Sequence, residues 1–125
     1  MDKWQALQAF WSSFDLPAYD ENSVPDDAVM PYITYGGATD SWDYDVPMTA
    51  SIWYRSSSWE AISLKAEQIA KAIAENGYYC TPIMSGAGYM VIRKNNVFAQ
   101  RMNDPEDDSI RRILLSIIVE FLTAY

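Results

Sequence analysis

Apolar residues recur at spacings of three and four in Trp4, Leu7, Phe10, Trp11 and Phe14, which predicts a helix at the start of the chain. Asp2 stands where an N-cap is needed, and Pro17 closes the run. The stripe reads as core or subunit contact rather than as a cofactor-binding face. Residues 16–30 then lose any period. They carry Asp20, Glu21, Asp26 and Asp27 around Pro25 and read as a loop of a length that compact domains seldom use without a purpose. Pro31 opens a short strand, Tyr32-Ile33-Thr34-Tyr35, and Gly36-Gly37 stops it.

Residues 42–54 alternate. Val46, Met48, Ala50, Ile52 and Tyr54 share one face by the period of two, and Thr49, Ser51 and Trp53 share the other. Pro47 cannot donate to a ladder, so it suits a strand start or an edge. The period then changes to that of a helix. Ile62, Ala66, Ile69 and Ile73 form one stripe, while Lys65, Glu67, Gln68 and Lys71 face away. Ser57 or Ser58 is placed to cap this helix, and Ser57-x-x-Glu60 matches a capping box. Asn76-Gly77 supplies a left-handed residue at its end.

Residues 78–83 and 89–94 read as a hairpin joined by Met84-Ser85-Gly86-Ala87-Gly88, with residues 98–102 as a further piece of sheet. Residues 103–108 form an acidic turn around Pro105. Residues 110–125 satisfy two templates. As a helix they align Ile110, Ile113, Leu114, Ile117, Ile118, Phe121 and Tyr125. As a strand they put Ile113, Leu115, Ile117, Val119, Phe121 and Tyr125 on one face. Periodicity does not separate the two, and the β-branched and aromatic enrichment favours the strand.

With 125 residues, half of them hydrophobic, the chain fits one domain spanning residues 1–125, with a sizeable core. The 5 Trp and 9 Tyr exceed what the core stripes absorb, and such residues are enriched where proteins meet. The formal net charge of −8 argues against binding nucleic acid through a basic footprint, since Lys and Arg occur only in short pairs such as Arg93-Lys94 and Arg111-Arg112. An acidic surface repels DNA, keeps a protein soluble or meets a basic partner. The single cysteine, Cys80, lies in an apolar run and reads as a buried, inert thiol, with a reducing compartment suggested. No signal peptide or membrane-spanning run is expected.

The chemistry of a catalytic site is hard to assemble from these residues. There is no histidine, which removes the commonest general base and zinc ligand, and Cys80 has no evident activator. Gly86-x-Gly88 lacks the third glycine and the Lys-Ser/Thr ending of a phosphate loop and suits a hairpin instead. Asn103-Asp104-Pro105-Glu106-Asp107-Asp108 lacks the alternating ligands, central glycine and distal glutamate of a calcium loop, and a run of like charge is ordinarily just solvated. Carboxylate pairs for glycoside hydrolysis would have to come from loops in a chain with little room for a cleft. The expectation is a protein that is not an enzyme, with no catalytic, cofactor or metal site.

Three stretches carry a resemblance: Pro31-Tyr32-Ile33-Thr34-Tyr35; Asp45-Val46-Pro47-Met48-Thr49-Ala50-Ser51-Ile52-Trp53-Tyr54-Arg55 leading into Ser58-Trp59-Glu60; and Phe98-Ala99-Gln100-Arg101-Met102 leading to Ile118-Val119-Glu120-Phe121. Together they resemble the small tail-terminator (tail-completion, head–tail joining) proteins of long-tailed bacteriophages. The resemblance implies an α+β fold with a mainly antiparallel sheet of about four to five strands and two helices packed on one face, the last segment being a strand. It implies a structural virion protein of the tail-neck region, assembled in the host cytoplasm. Subunits would form a ring, expected to be a hexamer, that ends tail-tube polymerisation. The ring's partners would be the tail tube protein and the head-side connector protein, without specific nucleic-acid or membrane binding. No family motif maps onto single residues. From the residues themselves, Trp42, Tyr44, Phe98 and Met102 are the candidate ring contacts, because they are apolar, lie at element ends and belong to no core stripe; the plainer alternative is that they pad the core. Another neck or head-completion protein, or a monomeric binding module without enzymatic activity, is the alternative role.

Overall fold

The computed structural model describes residues 1–36 and 45–124. Among these, the elements run α1 (Lys3–Ser12), β1 (Ala18–Asp20), β2 (Tyr32–Tyr35), β3 (Val46–Arg55), α2 (Glu60–Ala74), β4 (Tyr79–Ile83), a single 3₁₀ turn, β5 (Gly88–Met102) and β6 (Ile110–Leu122). The strands make one six-stranded sheet in the order β1-β2-β3-β6-β5-β4. The final segment is the strand β6, and it lies in the middle of the sheet between β3 and β5.

The expected α+β class holds, but the sheet has six strands rather than four to five, and it is mixed. The extra strand is β1, inside the segment expected to be a loop, and it pairs parallel to β2 with Ala18 opposite Ile33. Three residues cannot display a period, so tertiary contacts define it. Ile33 N–H donates to the Pro17 carbonyl and Glu21 N–H to the Tyr35 carbonyl, both at 2.9 Å.

Both helices pack on one face. That face carries Ile33 and Tyr35 of β2, Met48, Ala50 and Ile52 of β3, Ile83 of β4, Met90 and Ile92 of β5, and Ile113, Leu115, Ile117, Val119 and Phe121 of β6, all buried. The α2 stripe of Ile62, Ala66, Ile69 and Ile73 is buried against it. Lys65 does not face away. Its ammonium donates to the Phe14 carbonyl at 2.8 Å and ties α2 to the segment after α1.

Helix α1 begins with a capping box at Asp2. The Asp2 carboxylate accepts from Gln5 N–H at 2.8 Å, and the Gln5 side chain accepts from Asp2 N–H at 2.9 Å. The box expected at Ser57 does not form. Ser56 and Ser58 make successive tight turns, with Ser56 Oγ accepting from Ser58 N–H and Ser58 Oγ from Glu60 N–H, both at 3.1 Å. Trp59 is left at the N-cap with no side-chain bond. Trp4, expected in the α1 stripe, is 41% exposed.

The sheet is curled. Flat, its outer strands would lie about 24 Å apart at the usual interstrand spacing, wider than a helix with its side chains. Yet two residues two positions apart in α1 reach both edges. Gln8 Nε2 donates to the Ala18 carbonyl of β1 at 3.0 Å, and the Phe10 ring lies 4.8 Å from that of Tyr79 in β4. Trp11 stacks on Tyr35 of β2, and the Tyr35 hydroxyl donates to Gln8 Oε1.

Residues 98–102 belong to the same strand as 89–94. Between Lys94, opposite Ile117, and Ala99, opposite Leu115, β5 advances five positions while β6 advances two. The resulting bulge holds Val97 at φ +53° and swaps the faces that follow, so Ala99 and Arg101 lie on the helix side. As expected, Gly77 takes a positive φ (+88°) after α2.

Two substitutions test this packing. Ile69→Ala removes a fully buried side chain and is expected to lower unfolding free energy in chemical denaturation by about 2–5 kcal/mol; a change near zero would contradict the placement of α2. Gly88→Ala would put a Cβ 2.8 Å from the Leu122 carbonyl oxygen and 2.6 Å from Thr123 Cγ2. It is expected to cost about 1–3 kcal/mol in the same experiment, and a neutral outcome would contradict the β5–β6 register.

Candidate functional site

Because both helices occupy the concave side, no helix among the described residues covers the convex side of the sheet. Period two sends Tyr19, Tyr32 and Thr34, then Thr49, Ser51 and Trp53, then Arg112, Leu114, Ser116, Ile118, Glu120 and Leu122 to that side, joined by Tyr89, Val91 and Arg93 of β5 and Cys80 of β4. Strand β6 thus sets Leu114, Ile118 and Leu122 between Arg112, Ser116 and Glu120 on its convex face, with Leu114 and Ile118 half-buried.

The most apolar part of this side is at the β4–β5–β6 end. Tyr78, Tyr89 and Leu122 are about half exposed, at 51%, 48% and 50%. With Cys80 and Val91 they surround a shallow depression of about 420 Å³, rimmed by Arg93 and Glu120. Cys80 is exposed here rather than buried as expected. Its neighbour Tyr79 points at Phe10, so alternation turns the thiol outward, opposite Val91.

A second feature lies where β3 and β5 end and β6 begins. Arg101 and Arg111 both lie over the Trp59 ring, at 5.0 and 5.3 Å from its centroid, and Arg112 lies over Trp53 at 4.8 Å. Arg112 Nε donates to the buried Ser51 hydroxyl at 3.0 Å. Trp53 Nε1 donates to Thr34 Oγ1 at 2.9 Å, which fixes the ring. Arg111 reaches the Asp108 and Ser57 carbonyls at 2.6 and 3.0 Å. Beside them Arg55 contacts Asp107 at 3.3 Å and Ser109 Oγ at 2.9 Å.

Of the four candidate contact residues, Trp42 and Tyr44 lie outside the described residues. Phe98 is half-buried against the core, under the Lys94 ammonium at 5.9 Å. Met102 is half-buried at the end of β5, opposite Arg112. The structure does not bring these two together. The Tyr78–Tyr89–Leu122 patch and the arginine–tryptophan stacks were not anticipated. The patch was foreshadowed by Leu114, Ile118 and Leu122, once the last segment is taken as a strand. The stacks depend on cross-strand pairing and have no local signal.

Burial, and then the nearby Asp20 charge, push the Tyr35 phenol above its ordinary value; burial does the same to Tyr54. Among the described residues no group of three Cys, Asp or Glu side chains is arranged to hold a metal ion, and no helix is long and apolar enough to cross a membrane.

No protein-family model and no curated protein sequence matches the chain. A solved structure does. A chain of the virion of a native gene transfer agent (GTA) particle superposes with a TM-score of 0.57 at 17% identity, over 93% of this chain and 84% of that one. The two share a fold.

Asp107 provides a test of the arginine end. Hydrogen bonds from the Ser109 hydroxyl and N–H, followed by Arg55, hold its carboxyl below the ordinary 3.8. A depressed folded-state pKa contributes stability that is present above the unfolded value and is lost as pH falls through the folded one. Asp107→Asn is therefore expected to lower the denaturation midpoint at neutral pH, by an amount that shrinks as pH drops below about 4. A difference that stays constant down to strongly acidic pH would contradict the network.

Proposed function

We propose that this chain is a structural virion protein that ends tail-tube polymerisation and joins the tail to the head-side connector as a ring. In this reading it resides in the tail-neck region, contacts further copies of itself, the tail tube protein and the connector protein, and catalyses no reaction. The observation that carries the reading is the fold shared with a chain of a virion particle over nearly the whole length of this one. The resemblance of residues 31–35, of 45–55 with 58–60, and of 98–102 with 118–121 to tail-terminator proteins points the same way. Two further features support an assembly role: a sheet whose convex side bears apolar side chains that no helix among the described residues covers, and an excess of acidic residues suited to a passage that DNA must cross without sticking.

Deleting the gene from the phage or prophage that encodes it is the direct test. The expected result is tails of irregular, extended length that fail to join heads, seen by electron microscopy and restored by supplying the protein in trans. Tails of normal uniform length that still join heads would show the role to be another one.

A further inference from the structure

The depression between β4, β5 and β6 has an order that the strand register fixes. On the convex side Tyr89, Val91 and Arg93 follow one another along β5, opposite Leu122, Glu120 and Ile118 of β6. Cys80 flanks Val91 on the β4 side, and Tyr78, two residues earlier, lines the same depression. Val91 is therefore the centre of a face three strands wide, all of it on one side of the sheet. Its two charges are unlike. Arg93 and Glu120 are diagonal neighbours across the β5–β6 pair, about 7–8 Å apart at the backbone, and they are not within ion-pair distance of each other. Asp45, just before β3, holds Arg93. Glu120 has no hydrogen-bond or ion-pair partner among the described residues.

Any surface that covers this face strands the Glu120 carboxylate unless it brings a cation to it. Such a surface must be apolar at its centre, with a cation and an anion at neighbouring positions around that centre. The face itself has this arrangement. A two-fold contact repeats every pairing, residue i on j and j on i. A two-fold axis lying in the plane of contact and running over Val91 lays Arg93 of one copy on Glu120 of the other, and so also Glu120 on Arg93. One rotation thus makes two ion pairs. The same rotation sets Leu122 of each copy against Tyr78 of the other, and Val91 against Val91, apolar on apolar.

We propose that the β4–β5–β6 end of the convex side binds a second copy of this chain as a two-fold dimer, with Arg93 of each copy on Glu120 of the other. The contact does not rest on the ring reading. A ring joins two different patches, whereas a two-fold contact closes at two copies, so the dimer is a state of the free protein. The face is smaller than the standard interface of about 800 Å² per partner, which makes the dimer weak and concentration-dependent.

Charge reversal and crosslinking in the full-length protein test it. Sedimentation velocity up to about 1 mM protein at low salt, where surface charges are least screened, follows self-association of the wild type, Arg93→Glu and Glu120→Arg. The wild type is expected to form dimers that weaken with salt. Each variant alone, checked for folding by circular dichroism, is expected to lose about tenfold or more in affinity. An equimolar mixture of the two is expected to recover it, because both symmetric contacts then join opposite charges. A crosslinking arm needs no charge reversal. In a Cys80→Ser background, Val91→Cys is expected to give a disulfide-linked dimer on mild oxidation, since the axis brings the two copies together there. Thr49→Cys, also on the convex side but outside the face, is not. A wild-type chain that stays monomeric, wild-type affinity in both charge variants, no recovery on mixing two folded variants, or equal crosslinking at positions 49 and 91 would overturn the contact. The tail role is decided separately by the gene deletion.

Discussion

Helix α1 touches both edges of a six-stranded sheet, and most of the molecule follows from that contact. Gln8 reaches the β1 carbonyl while Phe10 packs on Tyr79 of β4, so the sheet has to curl around the helix. The strand order puts β6 at the centre, and the curl leaves a concave side on which α1 and α2 pack. Strand edges are a hazard because they present unpaired backbone groups. Here one edge is three residues long and meets α1 through the Gln8 amide, and the other carries Pro82 and packs on the Phe10 ring. The fold thereby protects its edges with the same helix that closes its core.

That arrangement also determines what is left for partners. With both helices committed to the concave side, the convex side retains Leu114, Ile118 and Leu122 along the central strand and Tyr78 and Tyr89 beside them. In an assembly, such apolar area supplies affinity.

Elements long enough to show a period were legible from the sequence. Ile62, Ala66, Ile69 and Ile73 marked α2, and Met48, Ala50 and Ile52 marked the inner face of β3. The final strand was separable from a helix only by its β-branched residues, and the structure bears that preference out. What depended on tertiary contact was not legible. Strand β1 is too short for a period and exists through its bonds to β2. The Ser57-x-x-Glu60 match was local, and Ser56 and Ser58 outcompeted it for the backbone N–H groups. Cys80 seemed buried because its neighbours are apolar, whereas alternation with Tyr79 turns it outward. Of the candidate contacts within the described residues, Phe98 turned toward the core across a bulge that adds three residues, which no pattern in residues 94–99 announces. The arginine stacks bring residues 59, 101 and 111 together, and only the cross-strand register places them.

The dependence on α1 can be measured directly by native-state hydrogen exchange in a Phe10→Ala variant, comparing strand by strand with the wild type. Phe10 is fully buried and packs on Trp11, Phe14 and Tyr79. If α1 holds both edges, amides of β1 and of β4 lose protection together while those of β3 and β6 keep theirs relative to global unfolding. Loss confined to β4, with β1 unchanged, would contradict the claim that one helix closes the whole sheet.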